Sequence, residues 1–182
     1  MLYGILWELL ALAILSYVIF QQGSSFKELG FSFAWKDIPV SLLLATIAYI
    51  AFYGSYVGIY FFYHLLTGQV LQTTQVQSYF APEINIGSVL FVILNPFFEE
   101  LIVRAYTMSE MRYLTDSNVH ALGVSVAVQT LYHLYQGLPS AYALGAMFLI
   151  FSMYYLKYKR IMPIILAHLY FDVLALFAYA KH

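Results

Sequence analysis

Six ionisable side chains interrupt stretches of this sequence that are otherwise apolar. In chain order they are Glu99, Glu100, Arg104, His133, His168 and Asp172. An ionisable group inside an apolar span costs several kcal/mol unless it is paired or faces a polar cavity. Such residues are seldom retained without a role, so the set is a candidate site for chemistry.

The first of these stretches separates its two glutamates by helical geometry. Glu100 and Arg104 are four residues apart and share one face of a helix, which is the spacing of an ion pair. Glu99 points about 100° away from its neighbour and aligns with Asn95. Pro96 lacks a backbone N–H and is expected to kink the helix just before the pair. The pattern predicts that Arg104 holds Glu100 as structural support, while Glu99 must find other partners.

The other stretches contribute imidazoles and a second carboxylate. Gln129 precedes His133 by one helical turn, and His168 and Asp172 are i and i+4 on one helix. If neighbouring helices form hairpins, a rise of about 1.5 Å per residue allows these groups and Glu99 to share one depth near mid-membrane. Two chemistries fit such a cluster. One is a glutamate that activates water without a metal, and the other is a zinc site with imidazole and carboxylate ligands.

The composition identifies the bilayer as the solvent of these helices. Of the 182 residues, 63% are hydrophobic and only 9% are charged, against about a quarter charged in soluble domains. The net charge of -1 provides no basic surface, so nucleic acid is not expected as a partner. Cysteine is absent, which excludes disulfides, thiolate nucleophiles and thiolate metal ligands.

Apolar runs of about 20 residues predict an all-α, polytopic transmembrane helical bundle with about six spans. The expected spans are 2–20, 42–66, 87–106, 119–136, 141–157 and 161–180, within a single integral-membrane domain over residues 1–182. Most cationic residues fall on one side of this arrangement: Lys27, Lys36, Arg104, Arg112, Lys157, Lys159 and Arg160, with Lys181 on the other. The positive-inside rule therefore predicts both termini outside and the charged loops in the cytoplasm.

Three further ionisable residues have simpler explanations. Glu8 lies inside the first span and is expected to be a carboxylate near one membrane interface. His64 and His120 are expected either to form hydrogen bonds between helices or to lie at an interface.

At these residues the chain resembles the CAAX protease and bacteriocin-processing family (CPBP, also called Abi) of intramembrane endopeptidases. The family's signature is Glu-Glu-x-x-x-Arg, then aromatic-x-x-x-His, then His-x-x-x-Asn or His-x-x-x-Asp, each on its own membrane helix. The corresponding motifs lie at residues 99–104, 129–133 and 168–172, within a family-like catalytic half of about residues 86–178. Gln129 departs from the aromatic residue of the signature, and we expect this change to affect packing more than catalysis.

The resemblance implies hydrolysis of a peptide or lipidated peptide in the membrane. Glu99 would be the general base that activates water, and His133 would hold that water beside it. His168 and Asp172 would lie on the oxyanion side, although aspartate in place of asparagine is a poorer donor. No cofactor is implied. The alternative is a zinc-dependent peptidase that uses the same four residues as ligands.

Non-enzymatic functions are the other alternative. Buried carboxylates and imidazoles also occur in proton-coupled transporters, and some members of the resembled family are immunity or scaffolding proteins. A transporter would more often contain paired repeats, and the sequence contains none. We therefore expect a peptidase of a bacterial plasma membrane that acts on a bacterial membrane peptide, because lipidation by prenyl groups is unusual in bacteria.

Overall fold

Six helical rods make up the described part of the protein, which in this computed structural model comprises residues 2–71 and 84–179. The rods are α1 (Leu2–Gln21), α2 (Asp37–Thr67), α3 (Ile86–Thr115), α4 (Asn118–Tyr132), α5 (Leu138–Tyr158) and α6 (Met162–Tyr179). A short 3₁₀ turn, Leu134–Gln136, joins α4 to α5. Most of the predicted polar connection between Gln69 and Asn85, and Lys181, lie outside the described residues.

The predicted all-α bundle of about six spans is confirmed. Four helices, α1, α2, α3 and α5, are long and apolar enough to cross a bilayer, and α6 is a shorter apolar helix. The expected fourth span is wrong at its end, because α4 has only 15 residues and stops at Tyr132. His133 is therefore the C-cap residue of α4 and not a residue within the helix.

α3 is a compound helix whose middle carries the two glutamates. It begins at Asn85, which forms a reciprocal capping box with Ser88, and it contains Pro96. An eight-residue π-helical segment, Glu99–Tyr106, follows directly. π-helical turns are rare and occur mostly at functional sites. Beyond this segment α3 continues as an α-helix to Thr115, so it extends further than the sequence predicted.

The helices pack so that α3 has neighbours on several sides. α2 packs on α5 and α6, while α4 packs between α3 and α5. α6 and α1 each pack on α3. The buried core is formed by aromatic and aliphatic side chains, among them Phe148, Phe151, Tyr155, Ile164 and Ile165. This arrangement brings the motif-bearing helices α3, α4 and α6 around one interior.

The loop after α1 is fastened to the turn between α5 and α6. Gly30 has a positive φ of 77°, and a side chain there would collide with the Lys159 carbonyl. The Gly30 carbonyl accepts a hydrogen bond from Ile161 N at 3.2 Å. Arg160 also forms a 2.8 Å ion pair with Asp37 at the start of α2. These contacts connect the α1–α2 loop and the start of α2 to the α5–α6 turn, at the end of the bundle where most cationic residues lie.

Candidate active site

Arg104 is fully buried, and all five of its guanidinium N–H groups have acceptors. Nε and one terminal nitrogen donate to the Glu100 carboxylate. That terminal nitrogen also donates to Gln129 Oε1 at 2.5 Å. The other donates to the Ser152 hydroxyl and, at 3.0 Å, to the Phe148 carbonyl. We call Glu100, Arg104, Gln129 and Ser152 the Arg104 cluster; it joins α3, α4 and α5.

The predicted pair of Glu100 with Arg104 is present, but Glu100 also has a second partner. His168 Nδ1 on α6 donates to Glu100 Oε1 at 2.8 Å. Since a carboxylate can only accept, the Nδ1 atom must carry a proton. Asp172 shares a helix face with this ring, and its Oδ1 lies 3.6 Å from His168 Nε2, beyond hydrogen-bond distance. Glu100 therefore orients His168 through Nδ1. The Nε2 atom has only the longer contact with Asp172 among the described residues.

Glu99 and His133 face each other across the interior. His133 Nε2 lies 4.0 Å from Glu99 Oε2, and Glu99 is only 2% exposed. Among the described residues, Glu99 Oε2 has no hydrogen-bond partner. His133 is anchored at its other nitrogen, because Nδ1 donates to the Gln129 backbone carbonyl at 2.8 Å. In the neutral ring this bond leaves a lone pair on Nε2, directed towards Glu99.

The 4.0 Å separation of these two acceptors is one that a single water molecule could bridge. If it lies about 2.8 Å from each atom, the two hydrogen bonds subtend an angle of about 90° at the water, close to its own bond angle. Both hydrogens of the water would then point at the protein, one to Glu99 and one to His133. Its lone pairs remain directed outward, which is the orientation a nucleophile needs.

Asp172 lies at the open side of the site. Its side chain is 19% exposed, whereas that of His168 is 6% exposed. Asn95 Nδ2, one turn before Glu99 on α3, donates to Asp172 Oδ2 at 3.4 Å. The structure thus brings Glu99, His133, His168 and Asp172 around one interior, with the Arg104 cluster on one side of it.

The expected interfacial position of Glu8 is wrong. Its side chain is buried, with 6% exposure, and it lies within electrostatic range of Glu99 and Asp172. The cause is the packing of α1 directly on α3, which could not be derived from the apolar pattern of α1. His64 and His120, in contrast, are exposed, as expected of residues at an interface.

An apolar cavity of about 510 Å³ lies between α1, α3 and the loop after α1, and its walls include Ile5, Leu9, Leu12, Leu94 and Phe97. Three of these side chains belong to the turns on either side of Glu8. A peptide segment or a hydrocarbon chain can be accommodated in a space of this volume and character.

The motif-bearing half of the chain matches a known family. A family described as type II CAAX prenyl endopeptidase Rce1-like matches residues 81–174, which include all six residues of the predicted site. The chain belongs to this Rce1-like family. Comparison with curated proteins and with solved structures gave no match.

Membership confirms the resemblance to CAAX proteases that the three motifs indicated. Together with the apolar helices, it identifies a membrane-embedded protein of an intramembrane CAAX endopeptidase family, whose substrates are peptides in the membrane. Membership of the Abi group and the processing of bacteriocins stay predictions.

The zinc alternative can be tested against the arrangement of ligands. Within the described residues of this Rce1-like chain, no three His, Asp or Glu side chains converge as one metal ion would require. Glu99 Oε2 and His133 Nε2 are 4.0 Å apart, whereas two ligand atoms of one tetrahedral zinc lie about 3.3 Å apart. The zinc alternative stays a prediction.

Two polar residues of the site were missed or misjudged from the sequence. Gln129 was expected to act through packing, but its side chain accepts from Arg104 and its backbone carbonyl accepts from His133. Ser152 accepts from Arg104 from the opposite side. The signal available for Ser152 was a lone hydroxyl in an otherwise apolar stretch of α5. Arg104 was counted among the loop cations, although it is buried in the core.

Proposed function

We propose that this chain hydrolyses a peptide bond of a membrane-associated peptide, with Glu99 as the general base. The observation that carries the proposal is the buried pair of Glu99 and His133, 4.0 Å apart, with acceptors that can hold one water between them. Membership in the Rce1-like family supports the class of reaction.

The reaction begins when Glu99 takes one proton from the water while His133 accepts a hydrogen bond from the other hydrogen. The water oxygen attacks the scissile carbonyl carbon, and the carbonyl oxygen becomes an oxyanion. Collapse of the tetrahedral intermediate breaks the C–N bond. Glu99 then returns its proton to the leaving nitrogen, so that one carboxyl product and one amine product are formed and the base is regenerated.

His168 is proposed to stabilise the oxyanion. Its Nδ1 is committed to Glu100 at 2.8 Å, so Nε2, when protonated, is the ring atom available to donate to developing negative charge. A donor that is already oriented in a water-poor site contributes more than the same donor in water. Asp172 and Asn95, at the open side, are proposed to position the peptide near this donor.

We propose no cofactor for this mechanism. We propose that the chain lies in a bacterial plasma membrane with both termini outside; the positive-inside rule supports this orientation. The substrate is proposed to be a membrane peptide or a lipidated peptide, because the apolar cavity between α1 and α3 can hold either an apolar side chain or a lipid chain.

The test is a hydrolysis experiment with two arms. In the first, the purified chain in lipid vesicles is given a farnesylated peptide with a C-terminal CAAX sequence. The other compares peptide termini, by mass spectrometry, in membranes of cells that express the wild-type chain or Glu99→Gln. We expect new termini with the wild type and none with Glu99→Gln, and isotope-labelled water should enter the new carboxylate. If neither arm yields a cleavage product that depends on Glu99, the chain is not a peptidase.

A further inference from the structure

We infer that Glu8 is a substrate-binding residue of this site, whose carboxyl group accepts a hydrogen bond from an N–H group of the bound peptide. The inference rests on the proposed peptidase function and extends it to α1. Glu8 lies outside residues 81–174, where the family matches, so its role must be argued from its surroundings.

The position of Glu8 follows from the packing of α1 against α3. Gly4 touches Phe91, since a Cβ on Gly4 would lie 3.0 Å from the Phe91 ring. First and third spans of an alternating bundle run in the same direction. Four residues further along each helix are Glu8 and Asn95, which therefore lie at similar depth, about one turn or 6 Å along the axis from Glu99.

The surroundings of Glu8 lack a donor for one of its oxygens. Glu8 Oε2 is buried and has no hydrogen-bond partner among the described residues. Glu99 and Asp172, the charged groups in its electrostatic neighbourhood, are also carboxyl groups, and Ile5, Leu9 and Leu12 next to it on α1 line the apolar cavity. A buried acceptor without a donor is destabilising, so a structural role would not explain its presence.

A peptide substrate supplies the missing donor. Its backbone N–H groups lose their water when it enters a membrane-embedded site, and each then needs an acceptor. A peptide that must be extended for hydrolysis has also lost the helical carbonyls that would otherwise accept. Glu8 Oε2 offers an acceptor near the base. Ile5, Leu9 and Leu12 on the same helix line a cavity in which an apolar side chain or lipid chain of the same peptide can lie.

Binding to an inactive parent chain tests the inference without hydrolysis. The full chain carrying Glu99→Gln is placed in lipid nanodiscs and titrated with a fluorescent farnesylated CAAX peptide. Adding Glu8→Leu, which removes the acceptor, should raise Kd about tenfold, since one hydrogen bond to a charged group is lost. Adding Glu8→Gln, which retains a carbonyl acceptor, should change Kd by less than about threefold.

Three outcomes of the titration would contradict the inference. Equal affinity of the parent and Glu8→Leu would show that Glu8 does not touch the peptide. Equal loss with Glu8→Gln and Glu8→Leu would show that charge, not an acceptor, matters. No binding to the parent would overturn the role of Glu8 together with this substrate class. If the peptide binds with the predicted dependence on Glu8, but the wild-type chain never cleaves it, only the proposed hydrolysis fails.

Thermal unfolding separates a binding role from a structural one. Glu8→Leu should raise Tm by about 3 °C, because it removes a buried acceptor that lacks a donor. The matched control is Ser16→Leu, a polar-to-leucine change on the exposed side of the same helix, which should leave both Kd and Tm near the parent values. A lower Tm with Glu8→Leu would identify Glu8 as a structural residue and overturn the inference.

Discussion

Glu99 and Glu100 are adjacent in the chain, and both are buried, yet their surroundings differ completely. Glu100 accepts hydrogen bonds from Arg104 and from His168. Glu99 has an oxygen without any partner among the described residues and faces His133 at 4.0 Å. One carboxylate is committed to holding helices together, and its neighbour is left available for chemistry.

The difference shows how a membrane protein can keep a reactive carboxyl group in a fixed position. The Arg104 cluster joins α3, α4 and α5, and His168 adds α6 to it. Gln129 connects this rigid side to the reactive pair, since its side chain binds Arg104 and its backbone carbonyl orients His133. A site supported in this way fixes the Nδ1 side of each imidazole and leaves Nε2 and Glu99 Oε2 available.

The reactive side of the comparison is tested by a double-mutant cycle on hydrolysis. Glu99→Gln and His133→Gln should each lower kcat about 10²–10⁴-fold, as expected for loss of a general base or of the group that orients its water. Because both act on the same water, the double variant should be no slower than the worse single variant. His120→Gln, the same change at an exposed histidine, is the control and should retain full activity. Multiplicative losses would mean that the two residues act on different steps.

The rigid side is tested by removing its cation. Arg104→Met leaves the buried Glu100 carboxylate with His168 but without its cation, and should lower the free energy of unfolding by about 3–5 kcal/mol. Arg112→Met makes the same change at an exposed arginine of α3 and should have little effect. Thermal unfolding followed by circular dichroism in detergent measures both, and Glu99→Gln should unfold at the wild-type temperature or above it. A stable Arg104→Met chain would remove the distinction between the two glutamates.

The contact between α4 and α5 sharpens the comparison, because it positions Gln129 and His133 together. A Cβ at Gly145 on α5 would lie 2.8 Å from Thr130 Oγ1 on α4. Gly145→Ala should therefore displace α4, destabilise the chain by about 1–3 kcal/mol and lower kcat. Adding Thr130→Ala should restore much of both, and Gly54→Ala, where no atom lies within 4 Å, is the control. A loss that Thr130→Ala does not relieve would mean that the two helices are not held at this contact.

Local features of the site could be predicted from the sequence. Apolar runs indicated the membrane, and the ionisable residues inside them indicated the site. The i, i+4 spacing of Glu100 and Arg104 predicted their pair, because both residues belong to one helix. Hairpin lengths gave Glu99 and His133 a similar depth. Each of these inferences depends on distances along the chain, which the sequence contains directly.

The features that the sequence did not reveal depend on the rotation of each helix about its axis. The bond between Glu100 and His168 joins helices that are far apart in the chain, and the burial of Glu8 depends on which face of α1 meets α3. The end of α4 at Tyr132 is set by the 3₁₀ turn that follows, inside a run that remains apolar. Helical periodicity specifies which residues share a face but not what that face contacts.

Removal of metal should have the smallest effect of all, and this prediction bears on both sides of the comparison. Both histidines of the site donate a hydrogen bond from Nδ1: His133 to the Gln129 carbonyl and His168 to Glu100. Zinc ligands often make such bonds while their Nε2 holds the metal, so the histidines alone do not decide between the mechanisms. The described side chains do not converge as a zinc site requires, and we expect peptide hydrolysis to be unchanged after a chelator is added and removed. If activity is lost on chelation and restored by zinc but not by magnesium, Glu99 is a ligand or acts beside a metal-bound water, and the metal-free mechanism is wrong.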